Sequence, residues 1–277
     1  MGSTAAALRN EAEARTADPP RPPLKWAGGK RWQVPHLLPY WHGAGDRRLV
    51  EPFAGGLAVV LNLMPTRALL NDVNPHLINF YRQLRAGLVV AEKFENKERV
   101  YYRNRSRFNK LLRTGKGDTP EAAWLFYYLN RTGYNGLCRF NSSGEFNVPF
   151  GRYGTIGYKY DFTEYKAVFA NWEFTNLSFR EVVLEADDFV YADPPYDVEF
   201  TAYSKGGFDW EDQEATANWL AQHPGPVVLS NQATSRVMDL YKGLGFLTPT
   251  FHAPRRISCT GDRSPALEVL ATRNLPG

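Results

Sequence analysis

A chain of 277 residues that is 43% hydrophobic, 14% aromatic and 22% charged is long enough for one large domain, or for one domain with a sizeable insertion. The composition excludes collagenous, low-complexity and mostly disordered proteins. The formal net charge of +4 is mild, and its distribution says more than its size.

No apolar run approaches the ~20 residues needed to cross a bilayer. Residues 1–25 lack the continuous apolar stretch of a secretory signal, so an unexported protein without a membrane anchor is expected. Cys138 and Cys259 lie far apart and form no C-x-x-C, which leaves no framework of stapling disulfides and fits a reducing cytoplasm.

Residues 1–22, rich in Ala, Glu and Arg and closing on two Pro-Pro pairs, read as a flexible tail. LVEPF at 49–53 is a short strand, AGG a turn, LAVVLNLM at 57–64 a helix, and ALLND at 68–72 a second strand. That is the opening of an α/β unit with a parallel sheet. Residues 74–160 turn helical, basic and aromatic. Thr119-Pro120-Glu121 starts a helix over AAWLFYYL, and LCRF and EFNVPF flank Asn141-Ser142-Ser143-Gly144 as a β-hairpin. Alternation then resumes with EFTNLSF, DFVYADPPY, a helix from near Glu211, PVVLSNQ, a helix near Ala233, and a strand pair at 245–258 and 266–272. The middle segment therefore reads as an insertion into one α/β domain. The expected division is one α/β domain over 23–74 and 161–277, with an inserted unit over 75–160.

Within 99–117 lie Arg99, Arg103, Arg105, Arg107, Lys110, Arg113 and Lys116, with no acid among them, so this segment supplies more than the whole net excess. With Tyr101, Tyr102 and Phe108 interleaved, it suits a helix laid against a phosphate backbone. A solvated helix face is the other reading of such a run.

Glu51-Pro52-Phe53-Ala54-Gly55-Gly56 falls at a strand-to-helix turn, where glycines let a ligand approach the backbone. The turn lacks the G-x-G-x-x-G spacing that seats a pyrophosphate, so the nucleotide it binds need not carry phosphate. Asp72, at the end of the next strand, can hold two ribose hydroxyls, although strand-end acids often have purely structural partners. Asp193-Pro194-Pro195-Tyr196 is the more specific feature. Two prolines directly after a strand force the chain out over the ligand crevice of an open α/β sheet. The turn offers a carboxylate, a free backbone carbonyl and an aromatic plane, the set that an exocyclic amine on a flat base requires.

Lys25-Trp26-Ala27-Gly28-Gly29-Lys30, Glu51-Pro52-Phe53-Ala54-Gly55, Asp72 and Asp193-Pro194-Pro195-Tyr196, in this order with an insertion between, resemble the Dam-type DNA adenine-N6 methyltransferases, the D12 class in the alpha group of amino-methyltransferases. The resemblance runs from about Pro23 to Asn274. Its most specific stretch is LNRTGYNGLCRFN at 129–141, continuing with GEFNVPFGRY at 144–153. It implies a Rossmann-like AdoMet-dependent fold, with a mainly parallel sheet, an antiparallel last strand and an inserted helical DNA-recognition domain. S-adenosylmethionine would be the cofactor, leaving as S-adenosylhomocysteine, with Trp26, Ala27, Lys30, Phe53, Gly55, Asp72, Ser178, Phe179 and Asp193 around it.

Double-stranded DNA is the implied partner. Lys25, Tyr134, Asn135, Leu137, Arg139 and Pro149 would lie on the bases of a GATC-like site, and Arg105, Arg131 and Asn141 on phosphates. Arg139 can make the bidentate contact that picks guanine, Leu137 and Pro149 can touch a thymine methyl, and Tyr134 can fill the gap left by a flipped adenine. Asp193, Pro194, Pro195 and Tyr196 would carry the chemistry. The basic turn Arg255-Arg256-Ile257-Ser258 is also family-like and expected to face DNA. Phe140 in place of Tyr, a plain Ser142-Ser143 turn and a short segment at 197–203 depart from the family pattern, and bear on flanking preference and processivity rather than on the reaction.

Neither cysteine follows a proline, so the nucleophile of cytosine-C5 methyltransferases is absent. His36, His42, His76, His223 and His252 form no H-E-x-x-H or tight cluster, and no metal site is expected. Cytosine-N4 methylation, which makes the same demand on the amine, and non-catalytic DNA recognition on the same fold remain as rivals. The expectation is a monomeric enzyme of a bacterial or phage-encoded system, cytoplasmic and on the nucleoid, serving either replication and repair or restriction-modification.

Overall fold

The structure, a computed structural model, describes residues 20–197, 208–253 and 266–275. The tail up to residue 19, most of the 197–203 segment, Arg255-Arg256-Ile257-Ser258 and Cys259 lie outside the described residues.

After a short 3-10 turn at Arg31–Gln33, the chain runs through α1 (Val34–Gly43), β1 (Leu49–Glu51), α2 (Val60–Leu63), β2 (Ala68–Asn71), α3 (Pro75–Ala86), α4 (Glu98–Arg113) and α5 (Pro120–Thr132). It continues through α6 (Thr163–Val168), β3 (Trp172–Thr175), β4 (Phe189–Ala192), α7 (Trp210–Ala221), β5 (Val227–Gln232), α8 (Ser235–Gly243), β6 (Thr250–Ala253) and β7 (Ala266–Arg273). The seven strands form one sheet in the order β3-β2-β1-β4-β5-β7-β6. The first five run parallel, with Val50 opposite both Leu69 and Val190. β7, the last strand in the chain, runs antiparallel as expected and lies between β5 and β6.

Strand residues alternate between two cores, as period-2 side chains must. Leu49, Leu70, Phe189, Tyr191, Val228 and Leu270 face one, whereas Val50, Leu69, Val190, Ala192, Leu229 and Val269 face the other. The second core is closed by Ala217 and Leu220 of α7 and by Val237 and Tyr241 of α8. The first extends without a break through Leu77, Phe80 and Leu84 of α3, Tyr101 and Phe108 of α4, and Leu125 and Leu129 of α5. The basic, aromatic segment thus shares its core with one face of the sheet.

Two local expectations change. The helix read over 57–64 is confined to Val60–Leu63, because Leu57 adopts a left-handed φ of 60° and the preceding residues stay in turns. The hairpin over 137–150 closes through isolated bridges, Phe140 with Phe146 and Gly133 with Phe150, rather than two regular strands. Its turn is nonetheless well defined. Asn141 Oδ1 accepts from the amides of Ser143 (3.1 Å) and Glu145 (2.9 Å), and Gly144 takes the left-handed φ of 73° that closes it.

Helix starts follow their caps. Asn74 Oδ1 accepts from His76 N and Leu77 N ahead of α3, and Thr119 Oγ1 accepts from Ala122 N ahead of α5. His76, in the first turn of α3, sits among aromatic rings, 4.8 Å from Phe140 and 5.4 Å from Phe108 between centroids. Burial depresses its pKa to about 4. The sign follows from linkage. Below about pH 6.5, the ordinary histidine value, the unfolded chain takes up this proton before the folded one, so stability is lost as pH falls from there towards 4. His76→Phe, which keeps a ring in the cluster, is expected to flatten that limb. Urea midpoints at pH 7.5 and 4.5 check it, and an equal drop in both proteins would assign the acid sensitivity elsewhere.

Candidate active site and nucleic-acid interface

The carboxyl ends of β1 and β4 adjoin at the point where the strand order reverses, the usual ligand crevice of an open α/β sheet. Glu51 ends β1, and Asp193 directly follows β4.

Asp193 Oδ2 lies 3.4 Å from Lys30 Nζ, and the side chain is 20% exposed, while its Oδ1 is buried with no hydrogen-bond partner. Burial pushes its carboxyl up to about 6; Lys30 works against that shift and the Glu268 charge adds to it. Lys30 Nζ also donates to Gly28 O at 2.9 Å and stands 4.2 Å above the Tyr196 ring, so one cation braces both the acid and the aromatic plane. The Glu51 carboxyl is buried, with one unpartnered oxygen. Burial raises its pKa well above the carboxylate range, and the Asp193 charge adds to the rise.

The carbonyls of the Pro-Pro turn divide. Pro195 O accepts from Gln213 Nε2 of α7 at 2.6 Å, whereas Pro194 O has no donor among the described residues. Below the turn, Asn231 of β5 donates to Gln213 Oε1 (2.9 Å) and accepts from Asp197 N (3.3 Å). The buried Asp197 carboxylate is gripped by Arg236 of α8, whose Nε donates at 2.6 Å. The exit of the motif is thereby tied to two helices.

On the neighbouring strands, Asp72 Oδ2 accepts from Gly55 N (3.0 Å) and Oδ1 from Asn74 N (2.9 Å). Each oxygen keeps a further lone pair, so two hydroxyl donors can still be met. Burial nevertheless raises the Asp72 pKa, with those two amides opposing the rise. Phe53 and Phe179 lie 5.6 Å apart between centroids, and Phe208 completes a ring trio at 5.6 Å from Phe53. Ser178 caps the 3-10 turn at Phe179–Glu181. Asn71, buried under both loops, donates to Pro52 O and Leu177 O and fixes their spacing.

The glycine turn differs from expectation in what approaches it. A Cβ on Gly55 would lie 2.9 Å from Trp26 Nε1, and one on Gly56 2.7 Å from Trp26 Cβ. The glycines admit the Trp26 side chain, which folds the Lys25–Lys30 segment onto the pocket, while Ala27 stays exposed. The donors and acceptors present fit a nucleoside cofactor: an aromatic flank at Phe53 and Phe179, the residual acceptor capacity of Asp72, and one unpartnered carboxyl oxygen on each of Glu51 and Asp193. Elsewhere, Glu185, Asp187 and Asp188 form an acidic trio, but Arg48 bridges Asp188 at 2.7 Å and Glu185 at 3.1 Å.

The residues assigned to DNA gather at the far end of α5. Lys25 Nζ donates to Arg131 O at 3.0 Å and stands 3.6 Å above the Tyr153 ring. Tyr134 N donates to Pro149 O (2.9 Å), Asn135 takes a left-handed φ of 51°, and the Tyr134 side chain is 50% exposed. Leu137 is half-buried against the core. Arg139 Nε donates to Asn147 Oδ1 at 2.8 Å on an exposed side chain. Arg131 Nη2 donates to Gly157 O (3.3 Å), and Arg105 Nη1 reaches Val148 O (3.1 Å). The basic run forms α4. Arg107 is paired with Glu92 and Glu121, and Arg113 with Glu145, while Arg99, Arg103, Lys110 and Lys116 are exposed.

Several contributors carry no signal in the sequence. Asn130, fully buried in α5, accepts from Lys25 N (2.8 Å) and donates to Lys25 O (2.7 Å) and Gly136 O (3.0 Å), joining the Lys25–Lys30 segment to the turn at Tyr134–Gly136. Gln33, Ser230, Gln213 and Glu268 support the Asp193–Tyr196 turn from beneath. Only Glu268 could have been suspected, as a lone acid within the apolar strand ALEVLA.

The mainly parallel sheet, with an antiparallel strand slotted before its last member and an acid-Pro-Pro-Tyr turn beside a glycine turn, is the arrangement expected above of an α/β methyltransferase. Residues 26–253 match the family of D12 class N6 adenine-specific DNA methyltransferases. The chain is 36% identical over 262 residues to the retron Ec67 DNA adenine methylase of Escherichia coli, covering 90% of each chain. It is 39% identical over 243 residues to the DNA adenine methylase of Escherichia coli K12, covering 79% of this chain and 83% of that one. It is also 36% identical over 246 residues to the type II methyltransferase M1.LlaDCHI of Lactococcus lactis subsp. cremoris, covering 80% and 84% respectively. This chain belongs to the D12 class: it is an adenine-specific DNA methyltransferase, and such enzymes draw their methyl group from S-adenosylmethionine. No helix among the described residues is long and apolar enough to cross a membrane.

Proposed function

We propose that the enzyme methylates adenine N6 within GATC in double-stranded DNA, and that it swings the adenine out of the helix into the Asp193-Pro194-Pro195-Tyr196 turn. The observation that carries this reading is the pair of open acceptors in that turn, the buried Asp193 Oδ1 and the Pro194 carbonyl. The adenine amine is delocalised into its ring and a poor nucleophile. Accepting both N6–H bonds draws the nitrogen toward tetrahedral geometry and frees its lone pair for in-line attack. When bound, S-adenosylmethionine supplies a methyl group already activated by its sulfonium. Asp193 need only stabilise the positive charge that develops on the amine, while Tyr196 offers the base a stacking plane.

Around the cofactor, Asp72 would accept from the ribose hydroxyls, and Phe53 and Phe179 would flank the adenine ring, with Ser178 beside them. Trp26, Ala27, Lys30 and Gly55 would form the opposite wall. On DNA, Arg139 would read guanine, Lys25, Asn135, Leu137 and Pro149 the remaining base edges, and Tyr134 would occupy the space left in the stack. Arg105, Arg131 and Asn141 would hold phosphates. Residues 75–160 form the recognition unit in this reading, and a single chain suffices.

Transfer of labelled methyl from S-adenosylmethionine into a GATC duplex, compared with duplexes changed at each base pair, tests the sequence assignment. Label appearing equally in all of them would remove it. The same duplex series separates reading from holding. Arg139→Ala is expected to cost ~1–3 kcal/mol on GATC and little on a duplex already altered at its base pair. Arg105→Ala should weaken all duplexes about equally and reduce the salt slope by nearly one unit. A uniform loss for Arg139→Ala would make it another phosphate clamp.

A further inference from the structure

Tyr196 is held from below by groups that lie far from it in sequence. Its hydroxyl donates to Glu268 Oε2 of β7 at 2.6 Å and lies 2.8 Å from Ser230 Oγ of β5. Gln33 Nε2, from the 3-10 turn next to Lys30, donates to the same Ser230 Oγ (2.8 Å) and to the same Glu268 Oε2 (3.1 Å). Gln33 Oε1 in turn accepts from Tyr191 OH at 2.6 Å. Gln33 and Ser230 are fully buried and Glu268 is 8% exposed. A carboxylate withdrawn from water this far is costly unless its partners are arranged for it, and here every partner leads to the catalytic turn.

We propose that Glu268 is a positioning residue for methyl transfer: through the Tyr196 hydroxyl it sets the height and tilt of the ring on which the target adenine stacks. The proposal rests on reading Asp193-Pro194-Pro195-Tyr196 as the amine site. Packing alone could keep an aromatic ring roughly in place. A charged acceptor on its hydroxyl fixes it to the few tenths of an ångström that in-line attack requires, and charge-assisted bonds have the strength for that. Facing Asp193 are Lys30 from the Gln33 side, Glu51 from β1, Tyr191 from β4, Tyr196, Ser230 from β5 and Glu268 from β7. Among these Lys30 lowers, and Glu268 raises, the proton affinity of Asp193.

The test compares Glu268→Ala, the isosteric Glu268→Gln, Tyr196→Phe and the double variant Y196F/E268Q, on a cognate duplex with S-adenosylmethionine saturating. Glu268→Ala and Tyr196→Phe are each expected to lower kcat roughly tenfold, the scale of one charge-assisted hydrogen bond, with cofactor affinity by calorimetry unchanged. The double variant should lose no more than the worse single one, since both changes break one contact. Removing the charge should also move the acid limb of kcat/KM, which follows Asp193, to lower pH in Glu268→Gln, a displacement that persists in the Tyr196→Phe background. If Glu268→Ala does not fold, Glu268→Gln carries the test alone. Wild-type kcat with an unmoved acid limb in Glu268→Gln would overturn the proposal, and so would additive losses in the double variant. Asp193→Ala is the control. If it retains turnover, the amine-site reading fails; if it is inactive while Glu268→Gln behaves as wild type, only this proposal fails.

Discussion

Asp193→Ala is expected to lower turnover by about 10²-fold or more, the scale of removing one preorganised acceptor from a developing charge, while S-adenosylmethionine still binds. The expectation follows from the unpartnered Oδ1, since a buried carboxylate oxygen without a donor is held ready for a donor that arrives with the substrate. Single-turnover methyl transfer with cofactor and duplex saturating isolates the step. Asp193→Asn should recover little, because its amide nitrogen, where it replaces an oxygen, presents a donor to a donor. Turnover near wild type in either variant would withdraw the catalytic assignment and leave Asp193 as a partner for Lys30.

The second large effect belongs to the cofactor. Asp72→Ala is expected to raise the S-adenosylmethionine dissociation constant about tenfold or more, because a hydrogen bond to a charged group contributes ~1.5–3 kcal/mol. Truncation also frees the Gly55 and Asn74 amides that the carboxylate now holds, so part of the loss would reflect a loosened turn. Asp72→Asn preserves one acceptor and separates the two contributions. It should lose less than Ala if geometry dominates, and as much if charge does. Unchanged affinity in a folded Asp72→Ala protein would assign the residue to structure alone.

How far the sequence carried each inference can be traced through individual residues. Asp193-Pro194-Pro195-Tyr196 and Glu51 through Gly55 were legible because strand ends, prolines and glycines act locally, and the chain direction itself brings them to one edge of the sheet. The parallel sheet was legible for the same reason, from helices regularly spaced between apolar runs. Gln33 was not, since a contact between residues 235 apart leaves no period or spacing to detect, and Glu268 showed only as a lone acid in an apolar strand. Asn130 was hidden differently: it lies in a quoted motif, yet its side chain serves the backbone of Lys25 and Gly136 rather than any ligand. Trp26 gives the glycines a second use, because a turn that accommodates a ligand and one that accommodates an indole require the same absence of Cβ. The helix over 57–64 was overextended because apolar helical spacing continued through Leu57, whose backbone had already turned.

The unbroken core that joins α3, α4 and α5 to one face of the sheet limits how new specificities can arise in this architecture. In the proposed reading, a recognition unit that folded around its own interior could be exchanged between enzymes like a cassette, but one whose Phe80, Phe108 and Leu125 share a core with the sheet cannot be lifted out without exposing that core. In that reading, substitution is therefore confined to the exposed side chains between Tyr134 and Pro149, since Phe146 and Val148 of the same stretch are buried in the shared interior. Retargeting such an enzyme becomes a matter of rewriting those exposed side chains on a fixed foundation.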